Sequence, residues 1–266
     1  MMAEFLTTLD DPRAAPYRDL PDRKSARQSG LFIAEGRLLV KRLLASRFQA
    51  VSLLLEQDRH PDLVALAEES GVKVFTAERS LLTQIIGFQS HAGALACGKR
   101  QPSPTVQQVV QLPGPRTLAV LPNVFDAENV GSVLRTSLAL GADAVLLGAQ
   151  AADPFRRRVL RCSMGAPWKL PVVESLDLAA DLAWLHSQGF EIIGAALQEQ
   201  SEPLESLQRQ GDLAILFGHE HTGLDDHWLA ACHRLAAISM HGRADSLNIA
   251  VAAGIFLHHF LHGPGR

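Results

Sequence analysis

Ile215-Leu216-Phe217-Gly218-His219-Glu220-His221-Thr222-Gly223-Leu224 is an apolar strand that runs into a loop with two glycines and one carboxylate. Further on, Ile238-Ser239-Met240-His241-Gly242 repeats the form, and Asp245-Ser246-Leu247-Asn248 opens an apolar helix, 249–260. Upstream, Asn129-Val130-Gly131 leads to Arg135-Thr136 along a helix that Gly141 closes. Functional groups of α/β proteins gather at strand ends and helix starts. Asn129, Arg135, Glu220, Ser246 and Asn248 all stand at such places.

Outward from these segments, strand and helix alternate. Strands are expected at 117–121, 144–147, 171–173, 191–195, 213–217 and 236–240, with helices after Asn129, over 176–186 and over 225–232. Asp153-Pro154 reads as an N-cap and first-turn proline opening a helix with Arg156, Arg157, Arg158 and Arg161. This alternation predicts a largely parallel, doubly wound sheet, and on pattern alone a Rossmann-like nucleotide binder. The N-terminal part reads as a smaller α/β unit. Its strands are expected at 30–34, 51–55, 72–75 and 93–96 and its helices at 37–45, 61–70 and 80–86, behind a loose lead-in, 1–16. Four prolines between 101 and 115 predict an extended linker. The expected domains are therefore 1–100, a linker 101–115, and 116–266.

At 47% hydrophobic and 20% charged residues, the composition is that of a globular protein. No run approaches the roughly 20 apolar residues of a membrane span, and the start lacks the form of a signal peptide, so a cytoplasmic location is expected. Cys97, Cys162 and Cys232 are odd in number and far apart, which predicts reduced thiols rather than disulfides or zinc. A net charge of −3 does not announce a nucleic-acid partner. Residues 12–50 nevertheless carry nine basic against three acidic side chains, a local excess able to neutralise phosphates.

"NVGSVLRTSLALG", "LFGHEHTGL" and "ISMHGRADSLNIAVAA" resemble, in order and approximate spacing, the three signature motifs of the SpoU (TrmH-type) RNA ribose 2′-O-methyltransferases of the SPOUT superfamily. "FIAEG" and "HAG" of the N-terminal part echo the substrate-binding domain that precedes the catalytic domain in many members. The resemblance implies a C-terminal domain tied in a trefoil knot, a homodimer, and S-adenosylmethionine as cofactor. It implies methyl transfer to a ribose 2′-hydroxyl of structured RNA, with rRNA favoured over tRNA. It implies a cofactor held largely by backbone groups of three loops, which map to Leu216, Phe217 and Gly218, to Ile238, Ser239 and Met240, and to Leu247 beside Ser246. Its catalytic set maps to Asn129, Arg135, Glu220, Ser246 and Asn248. Ser239 stands where a proline is usual and His221 where glycine is frequent.

The residue types suit that chemistry. A guanidinium is a poor base, so Arg135 is expected to clamp phosphate and stabilise a developing alkoxide. Asn129 is expected to orient the arginine or the substrate, and Glu220 to orient Arg135 or Asn129 through charge-assisted hydrogen bonds. Asn129, Ser246 and Asn248 also stand where they can serve as helix caps. His258 and His262 are four apart on a helix, yet no third ligand lies nearby in sequence, and no metal is expected. The alternatives are a tRNA methyltransferase and an RNA-binding or ribosome-assembly protein without catalysis. A dehydrogenase would need a Gly-x-Gly-x-x-Gly loop after the first strand, which is missing.

Overall fold

Side-chain alternation along buried strands decides the layers. The computed structural model describes residues 3–18, 29–86, 93–111, 114–220, 222–241 and 246–266. They fall into two compact units, Met1–Pro102 with Phe155–Trp168, and Ser103–Pro154 with Lys169–Arg266.

The first unit holds a five-stranded sheet of β1 (Glu4–Leu6), β2 (Leu31–Glu35), β3 (Ala50–Glu56), β4 (Lys73–Ala77) and β5 (Ala94–Lys99) in the order β1-β4-β3-β5-β2. β1, β4 and β3 run parallel, while β5 is antiparallel to both β3 and β2. On β3, Leu53 and Leu55 pack with Leu39 and Leu43 of the helix Arg37–Leu44. Leu54 faces the other way, against Tyr17, Leu82 and Ile85. Opposite faces of one strand thus feed two separate apolar clusters, as period-2 geometry requires.

Three expectations need correction. Residues 1–16 are not a loose lead-in where they are described. β1 adds an edge strand, Leu6 is fully buried, and Tyr17 hydrogen-bonds Ser52 Oγ at 2.6 Å beneath the sheet. The signal was hidden because Leu6, Ala14 and Tyr17 follow no helical or strand period. The stretch 101–115 is not wholly extended either. Thr105 and Gln108 form a reciprocal capping box on the short helix Val106–Val109, whose valines enter the second unit's core. Finally, the arginine-rich helix begins at Arg157, not at Pro154, and packs with the first unit. Phe155, set against Phe32 and Phe48, holds the chain there before the helix can start.

The second unit is a fully parallel seven-stranded sheet. Its strands are β6 (Thr117–Leu121), β7 (Ala144–Leu147), β8 (Val172–Glu174), β9 (Glu191–Ala195), β10 (Glu202–Pro203), β11 (Leu213–Phe217) and β12 (Arg234–Ala237). The order is β10-β12-β9-β11-β6-β7-β8. Ala214 and Leu216 of β11 join Leu182 and Leu185 of the helix Leu178–Ser187 on one face. Phe217 turns to the opposite face and meets Phe256 edge-on at 5.7 Å, in the helix Ile249–Leu261. That helix packs against the helix Ala127–Leu140. Helices therefore cover both faces, leaving the carboxyl ends of the strands to build a site.

Candidate functional site

Two helix starts and one loop converge beyond those strand ends. Asp126 caps the helix Ala127–Leu140 by accepting the N–H groups of Glu128 and Asn129, each at 2.9 Å. The cap is thus Asp126, and Asn129 in the first turn has its side chain free for another partner. Asn248 caps the helix Ile249–Leu261, its Oδ1 accepting the Ala250 N–H at 2.9 Å. Its Nδ2 donates at 3.0 Å to Asn129 Oδ1 and at 2.7 Å to Glu220 Oε1. One side chain therefore caps a helix and ties a buried amide to a loop carboxylate. The bond to Glu220 is charge-assisted, the stronger kind.

Glu220 is held by a tight reversal. His219 and Gly223 exchange both backbone hydrogen bonds, at 2.9 and 2.8 Å. Gly218 lies so close to this hairpin that a Cβ would overlap the backbone of Gly223 and Leu224. A glycine is needed there for close approach, not for an unusual dihedral.

Next to the node is a cavity of about 300 Å³ at the carboxyl ends of β9, β11 and β12. Phe217, Gly218, Ile238, Met240, Ser246 and Leu247 of the expected set line it, as does Glu220. Leu216 and Ser239 do not. Leu216 is fully buried in the cluster on the other face of the sheet, and Ser239 Oγ donates to Glu205 at 3.0 Å. Sequence reasoning missed the wall supplied by Ala195, Ala196, Leu197 and Gln198. The available signal was that β9 ends between the two motif strands in space, a fact of sheet order and not of sequence order. His221, Gly242 and Asp245 lie outside the described residues.

The remaining members are set apart from the node. Arg135 lies on the same helix as Asn129, exposed, with no hydrogen bond or ion pair among the described residues. Ser246 is exposed and is not the helix cap. His258 and His262 approach each other, but His262 Nε2 bonds the Leu140 carbonyl, and no group able to hold a metal ion occurs among the described residues.

Among its described lining residues the cavity has no lysine or arginine, and Glu220 is its one acid. That favours a ligand with positive charge and an apolar or aromatic body over a phosphate-rich one. Fold and site together define a doubly wound α/β protein with a small-molecule pocket at the carboxyl edge of a parallel sheet. Residues 116–258 match the model of the SpoU rRNA Methylase family, and the chain belongs to that family. It is 35% identical to an uncharacterized tRNA/rRNA methyltransferase of Mycobacterium bovis, over 96% of this chain and 92% of that protein. It is 28% identical to the 23S rRNA (guanosine-2′-O-)-methyltransferase RlmB of Acinetobacter baylyi, over 76% and 84%. In fold it is similar to an AdoMet-bound rRNA methyltransferase from Sinorhizobium meliloti, with TM-score 0.83, 24% identity and 96% of each chain covered.

The basic excess of residues 12–50 is largely engaged within the first unit. Arg13 pairs with Glu4 and Asp11, Arg37 and Lys41 share Asp62, and Arg42 donates to the Met164 carbonyl. Arg23, Lys24 and Arg27 lie outside the described residues.

Proposed function

We propose that this chain transfers a methyl group from S-adenosylmethionine to a ribose 2′-hydroxyl of structured RNA, with rRNA preferred to tRNA. The observation that carries the reading is the Asn129–Asn248–Glu220 node beside a cavity with no lysine or arginine among its described lining residues, and Arg135 on the Asn129 helix with no hydrogen bond or ion pair among the described residues. When bound, S-adenosylmethionine supplies a methyl group made electrophilic by its sulfonium. Phe217, Gly218, Ile238, Met240 and Leu247 would hold it, and Glu220, the one acid among the described lining residues, offers a negative charge suited to a cation. The volume is at the lower end of the usual range for ligand pockets, roughly 300–1,000 Å³.

Arg135 takes the role of phosphate clamp and stabiliser of the developing alkoxide, since a guanidinium presents several N–H donors in a planar fork and no acceptor. Asn248 fixes the carboxylate of Glu220 and the amide of Asn129 in one arrangement, so that neither must reorganise as the ribose enters. Ser246 adds a hydroxyl at the cavity wall for hydrogen bonding.

The same reading includes a trefoil-knotted C-terminal segment, a homodimer, the N-terminal unit as RNA-binding domain, a cytoplasmic location, and no metal. Support for the dimer comes from Val251 and Ile255, exposed one turn apart on the helix Ile249–Leu261. The knot is supported by β12 leaving β11 to pair with β9, and by the fold likeness. Among the described residues no helix is long and apolar enough to cross a membrane.

Transfer of labelled methyl to total rRNA and, separately, total tRNA tests the proposal, with nucleosides resolved by mass spectrometry. Label is expected in a 2′-O-methyl nucleoside of rRNA, falling at least about 100-fold in Arg135→Ala. Label in tRNA alone would move the substrate. No label in either pool, despite S-adenosylmethionine binding, would favour the non-catalytic alternative.

A further inference from the structure

Phe125 stands in the loop between β6 and the helix Ala127–Leu140, 62% exposed. A single exposed phenylalanine is ordinary; the way this one is held is not. Val124 before it is buried, and its carbonyl accepts the Ala152 N–H at 2.9 Å. Asp126 after it is committed to the helix cap. The backbone is thus pinned on both sides, and the ring between is presented outward.

The ring is also backed. It stacks on His219, with centroids 4.6 Å apart and planes 25° from parallel. His219 lines the cavity and is locked to Gly223 by two backbone hydrogen bonds, and Glu220 of the node follows it directly. One aromatic face is therefore supported while much of the ring remains open to solvent, beside the residues that would meet the ribose.

We propose that Phe125, supported by His219, is a stacking platform for an unpaired nucleobase of the RNA, either the target base or its neighbour. The inference rests on the reading that this chain methylates RNA. A ribose whose 2′-hydroxyl reaches the node carries a base that must leave its stack to let the sugar approach. Unstacked bases are taken up on aromatic faces, with tolerance for base identity. The adjacent amides and carboxylate provide hydrogen bonds but no other flat apolar surface, so the platform supplies what the node lacks.

The test uses the full chain with deproteinised rRNA, measuring RNA affinity by filter binding together with kcat, KM for RNA, and S-adenosylmethionine affinity. Phe125→Ala and Phe125→Leu are expected to weaken RNA binding and raise its KM by roughly 5- to 150-fold, the range for loss of one base–aromatic stack. Phe125→Trp is expected to stay within a few-fold of wild type. S-adenosylmethionine affinity and kcat at saturating RNA are expected to be unchanged. Leucine keeps an apolar side chain but no π-face, so a Phe125→Leu chain with wild-type KM overturns the platform. So does a change in sedimentation without a change in RNA affinity, which would assign the ring to a contact between protein chains. If wild type methylates RNA and Phe125→Leu is indistinguishable from it, the platform alone fails. If wild type neither binds nor methylates RNA, the functional reading fails and takes the platform with it.

Discussion

Replacing Gly218 by alanine puts one methyl group where no side chain fits. The added Cβ meets the carbonyl carbon and oxygen of Gly223 and the amide nitrogen of Leu224, all backbone atoms with no rotamer to change. Relief needs the hairpin through His219 and Gly223 to move by about 1 Å to regain ordinary contact distance. Overpacking of this kind costs about 1–3 kcal/mol, or roughly 2–12 °C in Tm for a unit of this size. Function should suffer more than stability, because the hairpin carries Glu220 and part of the cavity wall. A misplacement of about 1 Å is enough to lower transfer by about 100-fold. Gly141→Ala is the matched control. Gly141 ends the helix Ala127–Leu140 with φ +84°, and a Cβ there meets nothing within 4 Å. Its cost, about 1–2 kcal/mol, arises from left-handed backbone strain at the far end of that helix from Asn129. Differential scanning fluorimetry, calorimetric titration with S-adenosylmethionine, and methyl transfer below both midpoints would be read together. Two variants of similar Tm should differ sharply in cofactor affinity and rate. Wild-type affinity and rate in Gly218→Ala would refute the reasoning, as would an equal loss in Gly141→Ala.

Asn248→Ser keeps a helix-capping oxygen but removes the Nδ2 donor. It should cost about 1–3 kcal/mol for the stranded Asn129 acceptor, with a further ~1 kcal/mol in Asn248→Ala as the cap goes. Thermal midpoints should rank the two, while methyl transfer should fall to a similar level in both. Burial pushes the Asp212 carboxyl up, but hydrogen bonds from the Arg116 side chain and N–H outweigh it and leave the group below its ordinary value. Its stabilisation is present above the ordinary carboxylate range and is lost as pH falls through the lowered value. Asp212→Asn should therefore melt earlier at neutral pH and lose that deficit on acidification, as Tm measured against pH would show. Burial pushes the thiols of Cys97 and Cys232 up to about 12. Both should resist maleimide at about pH 8, where a free cysteine is partly thiolate, and react only in denaturant, as peptide mapping would show.

The site was legible to different degrees for different residues. Asn129, Glu220 and Asn248 stand out in sequence because a polar group beside a glycine or a helix start has few local purposes. The structure joins these three through one amide. Leu216 was placed at the pocket as part of a loop that holds the cofactor largely through backbone groups, and strand alternation sends its side chain to the other face. Ser239 stands in the motif but turns to Glu205, a residue 34 positions away in sequence. Asn129 was a candidate cap because asparagine caps well, but Asp126 is better placed, three residues earlier. Phe125 carried no pattern at all, since an exposed aromatic has meaning only through what it stacks on.

The sequence by itself determined the alternation of strand and helix, and with it the parallel sheet. Period-2 and period-3.6 apolar spacing and glycine-marked ends are local properties that survive without knowledge of the partner. It also determined which polar residues stand at strand ends. Only the tertiary structure decided the order β12-β9-β11, which adds the Ala195–Gln198 wall to the cavity, and the convergence of Asn129, Glu220 and Asn248. It also assigned Phe155–Trp168 to the first unit and β1 to that unit's sheet edge. Pairing between distant segments depends on which apolar faces fit one another once the chain has folded back, and that information is in no single stretch.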